Sequence, residues 1–450
     1  MIALAQPSDL SDIKNIADLC RYELGFTSVS VLEQAILRNE VIVARAGNNI
    51  AGFVYFRITR RGYCTIASIA VHPEHRGRGI GTAMLHHVAR ISKSVGVDRL
   101  RLKCPAGLLA NKFYARRGFR QVDIEPGKKR PLVIWERNID DPIFFLSLTH
   151  HQINSLIQAW NASGEYRNPF THIIVSPLFA RPGTLHLIRK IKDDGATVIF
   201  DSGGYQVQVG KIRYEDLVTR LLSIYKDNTW ADWYVLPDYP PLSTDTDMAI
   251  QEKVRLTLNG ATQFIDHMPE WFQAKSVGVI HGRTEEQVLL CLEEYKKKGV
   301  RYVGFGSFET TGPKGSINRI SPRTLSALRY ISDQRDIYLH LFGIGGPGSI
   351  KRLGSAGIIP TSFDSVGWWK AAAYGNIFFP RIPQIHITAI PESLAIAIIH
   401  KEKERTGHKC AFCADVKALY RSKEHRTLHN LAVMMDNQNW NPSSHQIRLF

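Results

Sequence analysis

An acid at the end of an apolar run, followed almost at once by two glycines, is the first pattern in the chain able to carry chemistry. It is Asp201-Ser202-Gly203-Gly204-Tyr205-Gln206, after the run at 196–200. The run reads as a buried strand, and α/β folds place reactive groups at the carboxyl ends of strands. The glycines let backbone turn tightly and approach a flat ligand. A second acid, Asp364, lies in Phe363-Asp364-Ser365, and a third, Asp238, follows Trp233-Tyr234-Val235-Leu236. Near the end, His408, Cys410 and Cys413 precede a helix-like run bearing His425 and His429. Cys-x2-Cys with flanking histidines has the donors and spacing of a closed tetrahedral zinc site, and His425 and His429 compete for the fourth place. In the first third, Arg76-Gly77-Arg78-Gly79-Ile80-Gly81-Thr82 opens a helix directly after a strand. Backbone N–H groups there, with the arginines, predict an anion cradle, pyrophosphate being the obvious anion.

These residues need elements to hold them. A chain of 450 residues is too long for one ordinary core, so two domains are expected. Within 1–140, a helix toward Cys20 and strands at 41–45, 52–58, 64–71 and 100–104 predict an α/β domain. Asn138-Ile139-Asp140-Asp141-Pro142 breaks that pattern, and 141–170 reads as a linker with a bridging helix over 143–160. From 171 to 450, apolar strands alternate with amphipathic helices, which argues for a parallel sheet. Strands are legible at 173–176, 197–200, 233–236, 277–280, 302–306, 339–342 and 358–361. Polar residues recur at their carboxyl ends, the mark of an eight-stranded βα barrel. A doubly wound sheet, the other candidate, would gather them at one switch point.

Formal net charge is +16, which suits a polyanionic partner, nucleic acid first, although small acidic substrates would also suit a basic enzyme. Cys20, Cys64, Cys104 and Cys291 are isolated, so no disulfide framework is expected and a reducing, cytoplasmic setting is. No signal peptide and no apolar stretch of membrane-spanning length is expected.

The first third resembles the GNAT superfamily of N-acetyltransferases. Arg76-x-x-Gly79-x-Gly81 resembles that family's acetyl-CoA pyrophosphate motif, and Asn111-x-Phe113-Tyr114-x-x-x-Gly118-Phe119 its second characteristic motif. The resemblance implies acetyl-CoA as co-substrate, held by Arg76, Gly77, Arg78, Gly79, Gly81 and Thr82. Ala70 and Val71 would then pair backbone with the pantetheine arm, and Tyr114 would protonate the departing thiolate. Asn111 would orient the cofactor or the helix carrying Tyr114. Glu33, Glu40, His72 and Glu74 are all candidates for the general base, and the acyl acceptor is unread.

The remainder resembles the tRNA-guanine transglycosylase superfamily. Asp201–Gln206 is similar to that family's Asp-Ser-Gly-Gly-Phe-Gln motif and Phe363-Asp364-Ser365 to its nucleophile motif. The resemblance implies Asp364 as nucleophile, Asp201 as general acid and base, and Asp238, with backbone at Gly304, reading the guanine edge. It also implies base contacts from Ser202, Gly203, Gln206, Gly282 and His281, which stands where the family usually has Gln, with Tyr205 as a stacking wall. The family's metal motif favours His429 over His425 and puts His408 in the place of a cysteine, giving a structural Zn2+ on His408, Cys410, Cys413 and His429.

After the nucleophile, Val366-Gly367-Trp368-Trp369 departs from the Pro-Thr-Arg type of segment of the tRNA enzymes. With the shortened zinc segment, this resembles the family's DNA-modifying branch, which inserts 7-deazaguanine bases such as 7-cyano-7-deazaguanine. DNA is therefore the expected substrate. Alternatives are the same exchange on tRNA, or an acetyltransferase whose barrel only binds nucleic acid. The family also implies a possible homodimer.

Overall fold

Residues 41–44 and 53–56 are apolar without a break because both faces of their strands are covered. The structure is a computed structural model. It describes residues 2–440 apart from 48, 60–61, 77–79, 116, 140, 149–152, 166, 195, 307–319, 335–336 and 437–439. The chain divides into two units, Met1–Asp141 and Pro142–Phe450.

The first unit holds strands β1 (Ile2–Leu4), β2 (Val41–Ala46), β3 (Asn49–Ile58), β4 (Cys64–Val71), β5 (Arg99–Pro105), β6 (Arg120–Glu125) and β7 (Leu132–Asn138). They form one sheet in the order β1-β2-β3-β4-β5-β7-β6. Alternate side chains leave a strand on opposite faces. Val41, Val43, Phe53 and Tyr55 pack with Ile13, Ile16, Leu32 and Ile36 of helices Leu10–Leu19 and Val29–Leu37. Ile42, Ala44, Val54 and Phe56 pack with Met84, Leu85 and Val88 of helix Ile80–Ser94.

One irregularity opens this sheet between β4 and β5. β4 and β5 run parallel and pair only from Cys64↔Leu100 to Ile66↔Leu102. Against β3, Tyr55 faces Ser68 while Phe56 faces Ile66, so Ala67 is an extra residue, a β-bulge. Past it, β4 runs on to Val71 without pairing to β5, and the two strands part.

The second unit is built on β8 (Ile143–Ser147), β9 (His172–Val175), β10 (Thr197–Phe200), β11 (Trp233–Val235), β12 (Ser276–Ile280), β13 (Tyr302–Phe305), β14 (Tyr338–Leu341) and β15 (Ser362–Ser365). They close into a barrel in which every neighbouring pair is parallel. Ile174, Ile199, Val235, Val277, Val279, Tyr302 and Phe145 fill its interior. Their neighbours in sequence, such as Ile173, Val198 and Phe200, face the surrounding helices. This is the two-sided burial of a βα barrel.

Two sequence expectations are corrected here. Residues 143–147 are not the start of a bridging helix but the strand that closes the barrel, pairing β15 on one side and β9 on the other. The run Ile143-Phe144-Phe145-Leu146 has no period, so hydrophobicity alone could not tell a buried strand from a buried helix. The helix begins later, at Ile153–Ala162. The last strand is 362–365 rather than 358–361, so Asp364 lies within β15 and not beyond it.

Gly304, inside β13, is set by packing. A Cβ there would lie 1.9 Å from Cε2 of Phe342, whose ring covers the position. Gly304→Ala should therefore overpack the barrel and cost about 1–3 kcal/mol. A lowered urea midpoint with an unchanged slope would register it.

Candidate functional site

The carboxyl ends of β10, β11 and β15 bring Asp201, Asp238 and Asp364 to one end of the barrel. Asp238 and Asp364 are buried. Each acid is held differently. One oxygen of Asp238 accepts from the Ser202 hydroxyl, and the other lies 2.9 Å from Nε2 of His281. Oδ1 of Asp364 accepts from the Gly343 N–H at 2.9 Å and lies 3.3 Å from Nε2 of His340. Asp201 accepts backbone hydrogen bonds from Gly203, at 3.2 Å, and from Ser202. Burial, then the charges of Asp238 and Asp364, push its carboxyl up to about 7. Asp201 therefore holds its proton up to about pH 7, the range in which a general acid works.

The paired glycines are explained by this crowding. Gly203 has φ +80°, and a Cβ on it would lie 2.6 Å from the Phe179 ring. A Cβ on Gly204 would lie 2.3 Å from Oδ1 of Asp238. Tyr205 follows, exposed, and Gln206 is half-buried. Gly282 packs against Gln287, which completes the capping box of helix Glu285–Lys297 with Thr284. His281, expected to face a base carbonyl, has Nε2 committed to Asp238.

Sequence reasoning missed His340 and Phe342. His340 is fully buried in β14, between Asp364 and Ser362, with Nδ1 2.8 Å from the Ser362 hydroxyl. The Ser362 hydroxyl is in turn 2.5 Å from that of Tyr302. Burial pushes the Tyr302 phenol up to about 12, so it stays an O–H donor. The sequence signal was a lone polar residue in Leu339-His340-Leu341, easily taken for a satisfied core histidine.

In the first unit, Gly77, Arg78 and Gly79 lie outside the described residues. Arg76 pairs with Glu23 at 3.1 Å and also donates to the Val71 carbonyl. Ala70 and Val71 lie on β4 past its last pair with β5. Gly81 and Thr82 start helix Ile80–Ser94, and a Cβ on Gly81 would come 3.2 Å from the Phe113 ring. Asn111 donates to the carbonyls of Pro105 and Leu108 and accepts from the Trp135 indole at 2.9 Å. It thereby ties helix Ala110–Ala115 to β5 and β7, and that helix carries Tyr114. Tyr114 is buried between Phe113 and Phe119, and burial holds its phenol well above the usual tyrosine range.

The ligand atoms of His408, Cys410, Cys413 and His429 all lie within 4.8 Å of one another. Cys410 and Cys413 sulfurs are 3.3 Å apart, and Nδ1 of His429 is 3.5 and 3.6 Å from them. Ligands of a tetrahedral zinc ion stand about 3.3–3.8 Å apart, given its bond lengths. Both histidines are oriented by their outer nitrogens. His429 Nε2 lies 3.0 Å from the Phe378 carbonyl, and His408 Nδ1 lies 3.0 Å from Asp436. That leaves His408 Nε2 buried without a hydrogen-bond partner, the orphan that a metal would satisfy. Hydrogen bonding from Cys410 holds the Cys413 thiol well below its usual range. His425 bonds the Phe412 carbonyl instead.

Residues 10–119 match the family described as Acetyltransferase (GNAT) family. The first unit is a GNAT acetyltransferase domain. Similar solved structures include the N-acetylglutamate synthase from Neisseria gonorrhoeae with coenzyme A and N-acetyl-glutamate. It is 21% identical over 31% of this chain and 35% of that one, with a TM-score of 0.28. An N-acetyltransferase from Staphylococcus aureus is 21% identical over 31% and 98%, TM-score 0.28. The PaiA N-acetyltransferase from Thermoplasma acidophilum with coenzyme A is 19% identical over 31% and 98%, TM-score 0.27. No curated protein matches the chain.

Several basic and aromatic side chains of the later chain are engaged within the second unit. Arg426 is buried and donates to the carbonyls of Ala372, Leu419 and Tyr420. Trp368 is buried with its indole on the Ser365 carbonyl, and Lys423 stands over Trp369. Among the described residues, no helix is long and apolar enough to cross a membrane.

A raised acid favours the folded state only while it stays protonated. Asp201 thus costs the fold nothing below about pH 4, and increasingly more as pH rises through about 7. Asp201→Asn should be more stable than the parent at pH 8, by about 1–3 kcal/mol given partial solvent access, and nearly equal at pH 4. Urea unfolding at both pH values reads the difference.

Proposed function

We propose that the second unit exchanges guanine for a 7-deazaguanine base in DNA through a covalent intermediate on Asp364. One observation carries this reading: a carboxyl held protonated near neutrality, Asp201, shares a barrel end with a carboxylate held by two N–H donors, Asp364. Two carboxyl groups in unlike environments can divide acid and nucleophile roles. Asp364 attacks the anomeric carbon as the bond to guanine breaks, and Asp201 gives its proton to the departing base. The incoming base then loses a proton to Asp201 and attacks the same carbon, releasing Asp364. Asp238, fixed by Ser202 and His281, accepts hydrogen bonds from the base edge, with Gly304, Gly282 and Gln206 lining the same end. The target must be flipped from the duplex to reach it, and Tyr205 offers an exposed ring to stack upon. The +16 charge favours a polyanion. The post-nucleophile segment, which departs from the Pro-Thr-Arg type of the tRNA enzymes, favours DNA over tRNA.

In the same reading, the GNAT domain transfers an acetyl group from acetyl-CoA to an amine. The gap between β4 and β5 takes the pantetheine arm against Ala70 and Val71. Arg76, Gly77, Arg78, Gly79, Gly81 and Thr82 take the pyrophosphate, and Tyr114 protonates the leaving thiolate. The metal held by His408, Cys410, Cys413 and His429 is zinc, and it is structural because all four places are filled by protein.

Denaturing electrophoresis after incubation with labelled guanine-containing DNA, or with tRNA transcripts, tests the exchange. The parent should give an adduct on DNA, and Asp364→Ala none, although DNA still binds through phosphate contacts. Asp201→Asn should fold but release guanine about 100- to 10,000-fold more slowly. An adduct on tRNA alone would move the substrate to RNA, and an undiminished adduct in Asp364→Ala would overturn the mechanism. Tyr114→Phe should slow acetyl transfer and leave base exchange intact, as coenzyme A release assays would record. Elemental analysis should find one zinc per chain in the parent and none in Cys413→Ser, which should also unfold at lower denaturant.

A further inference from the structure

The nucleophile is the end of a buried hydrogen-bond chain. Nε2 of His340 faces Oδ1 of Asp364 at 3.3 Å, Nδ1 faces Ser362 at 2.8 Å, and Ser362 meets the Tyr302 hydroxyl at 2.5 Å. The three residues come from neighbouring strands β14, β15 and β13. Ser362 pairs with His340 in the ladder, which fixes the geometry through backbone. A carboxylate only accepts, so Nε2 must carry the proton toward Asp364. Nδ1 is then an acceptor for the Ser362 O–H, and Ser362 accepts from Tyr302. The chain has one consistent direction, and it leaves His340 a single productive tautomer. Phe145 and Phe342 pack on the imidazole and bring no charge. Among the described residues, the titratable groups facing this chain are Asp364, Tyr302 at its far end with Tyr338 against its ring, His172 packed on Phe145, and Asp201, whose carboxyl senses Asp364.

We propose that His340 is a positioning residue which, oriented through Ser362 and Tyr302, holds Asp364 as an anion aimed for attack. This rests on the transglycosylation reading above. Removing one N–H donor to a buried carboxylate weakens its anionic form. His340→Phe should therefore slow adduct formation about 10- to 100-fold at pH 7. It should also move the acidic limb of the pH–rate profile to higher pH. His340→Gln, whose amide can still donate, should recover part of both. Tyr302→Phe should move the limb the same way by less, because only tautomer control is lost.

The measurement is the rate of adduct formation on labelled guanine-containing DNA, and on tRNA transcripts, from pH 5 to 9. A merely structural role would lower the amplitude and leave the limb in place. His340→Phe with an unmoved limb would overturn the inference and leave the transglycosylase reading standing. If His340→Phe does not fold, Tyr302→Phe decides by the same criterion. No adduct from the parent on either nucleic acid would overturn the transglycosylase reading, and this inference with it.

Discussion

Three carboxylates meet at one end of the second unit's barrel, where burial leaves too little water to screen them from one another. Like charges so placed cannot all stay ionised unless each has its own donors. Asp238 has Ser202 and His281, and Asp364 has Gly343 and His340. Asp201 accepts from backbone at Gly203 and Ser202, and burial, then the charges of Asp238 and Asp364, push its carboxyl up to about 7. Burial and the two neighbouring charges set Asp201 apart, and the shape of the surrounding backbone follows from delivering donors to the other two. The turn at Gly343 aims an N–H at Asp364, and the glycines at 203–204 make room for the Asp238 carboxylate and the Phe179 ring.

The same constraint explains what the sequence disclosed and what it withheld. Asp201, Asp238 and Asp364 could be picked out because each follows or sits in an apolar run, where an acid is out of place. The alternation of strand and helix from 171 onward was legible for the same reason, since a two-sided strand must be apolar throughout. Residues 143–147 escaped because an aperiodic aromatic run looks alike in either conformation. The chain at 358–361 was misread as strand because its Ile pair continues the apolar pattern right up to β15. His340 escaped because its meaning lies in partners on other strands. Nothing local to Leu339-His340-Leu341 marks it, and only the register of β14 against β15 brings Ser362 beside it.

Net charge does not say where each cation is spent, and for a physical reason. Composition counts a guanidinium without counting what it already holds. Arg426 is spent on three backbone carbonyls that end one helix and support another, and burial lowers its guanidinium below the usual range. Arg76, read as a phosphate ligand, lies on Glu23 and the end of β4. In the proposed reading, an arriving pyrophosphate competes with a surface carboxylate for it. Such exposed pairs are weak, on the order of 1 kcal/mol or less, so this pairing parks the arginine near the strand gap without withdrawing it from use.

The metal cluster completes the second unit by the same logic of supplied partners. Helix Lys423–Met434 carries His429, and the residue after it, Asn430, accepts from the Phe378 N–H and donates to the carbonyls of Trp368 and Asn376. Trp368 in turn donates to Ser365, the last residue of β15. A continuous set of hydrogen bonds thus runs from the histidine and cysteine cluster to the strand bearing Asp364. Burying His408, His429 and two thiols together leaves polar atoms that protein alone does not satisfy, His408 Nε2 above all. A metal ion there would satisfy that atom, and the same helix carries the asparagine that braces the segment after Asp364. The cluster and β15 are for that reason parts of one hydrogen-bonded unit, coupled through Asn430 and Trp368 rather than through the barrel interior.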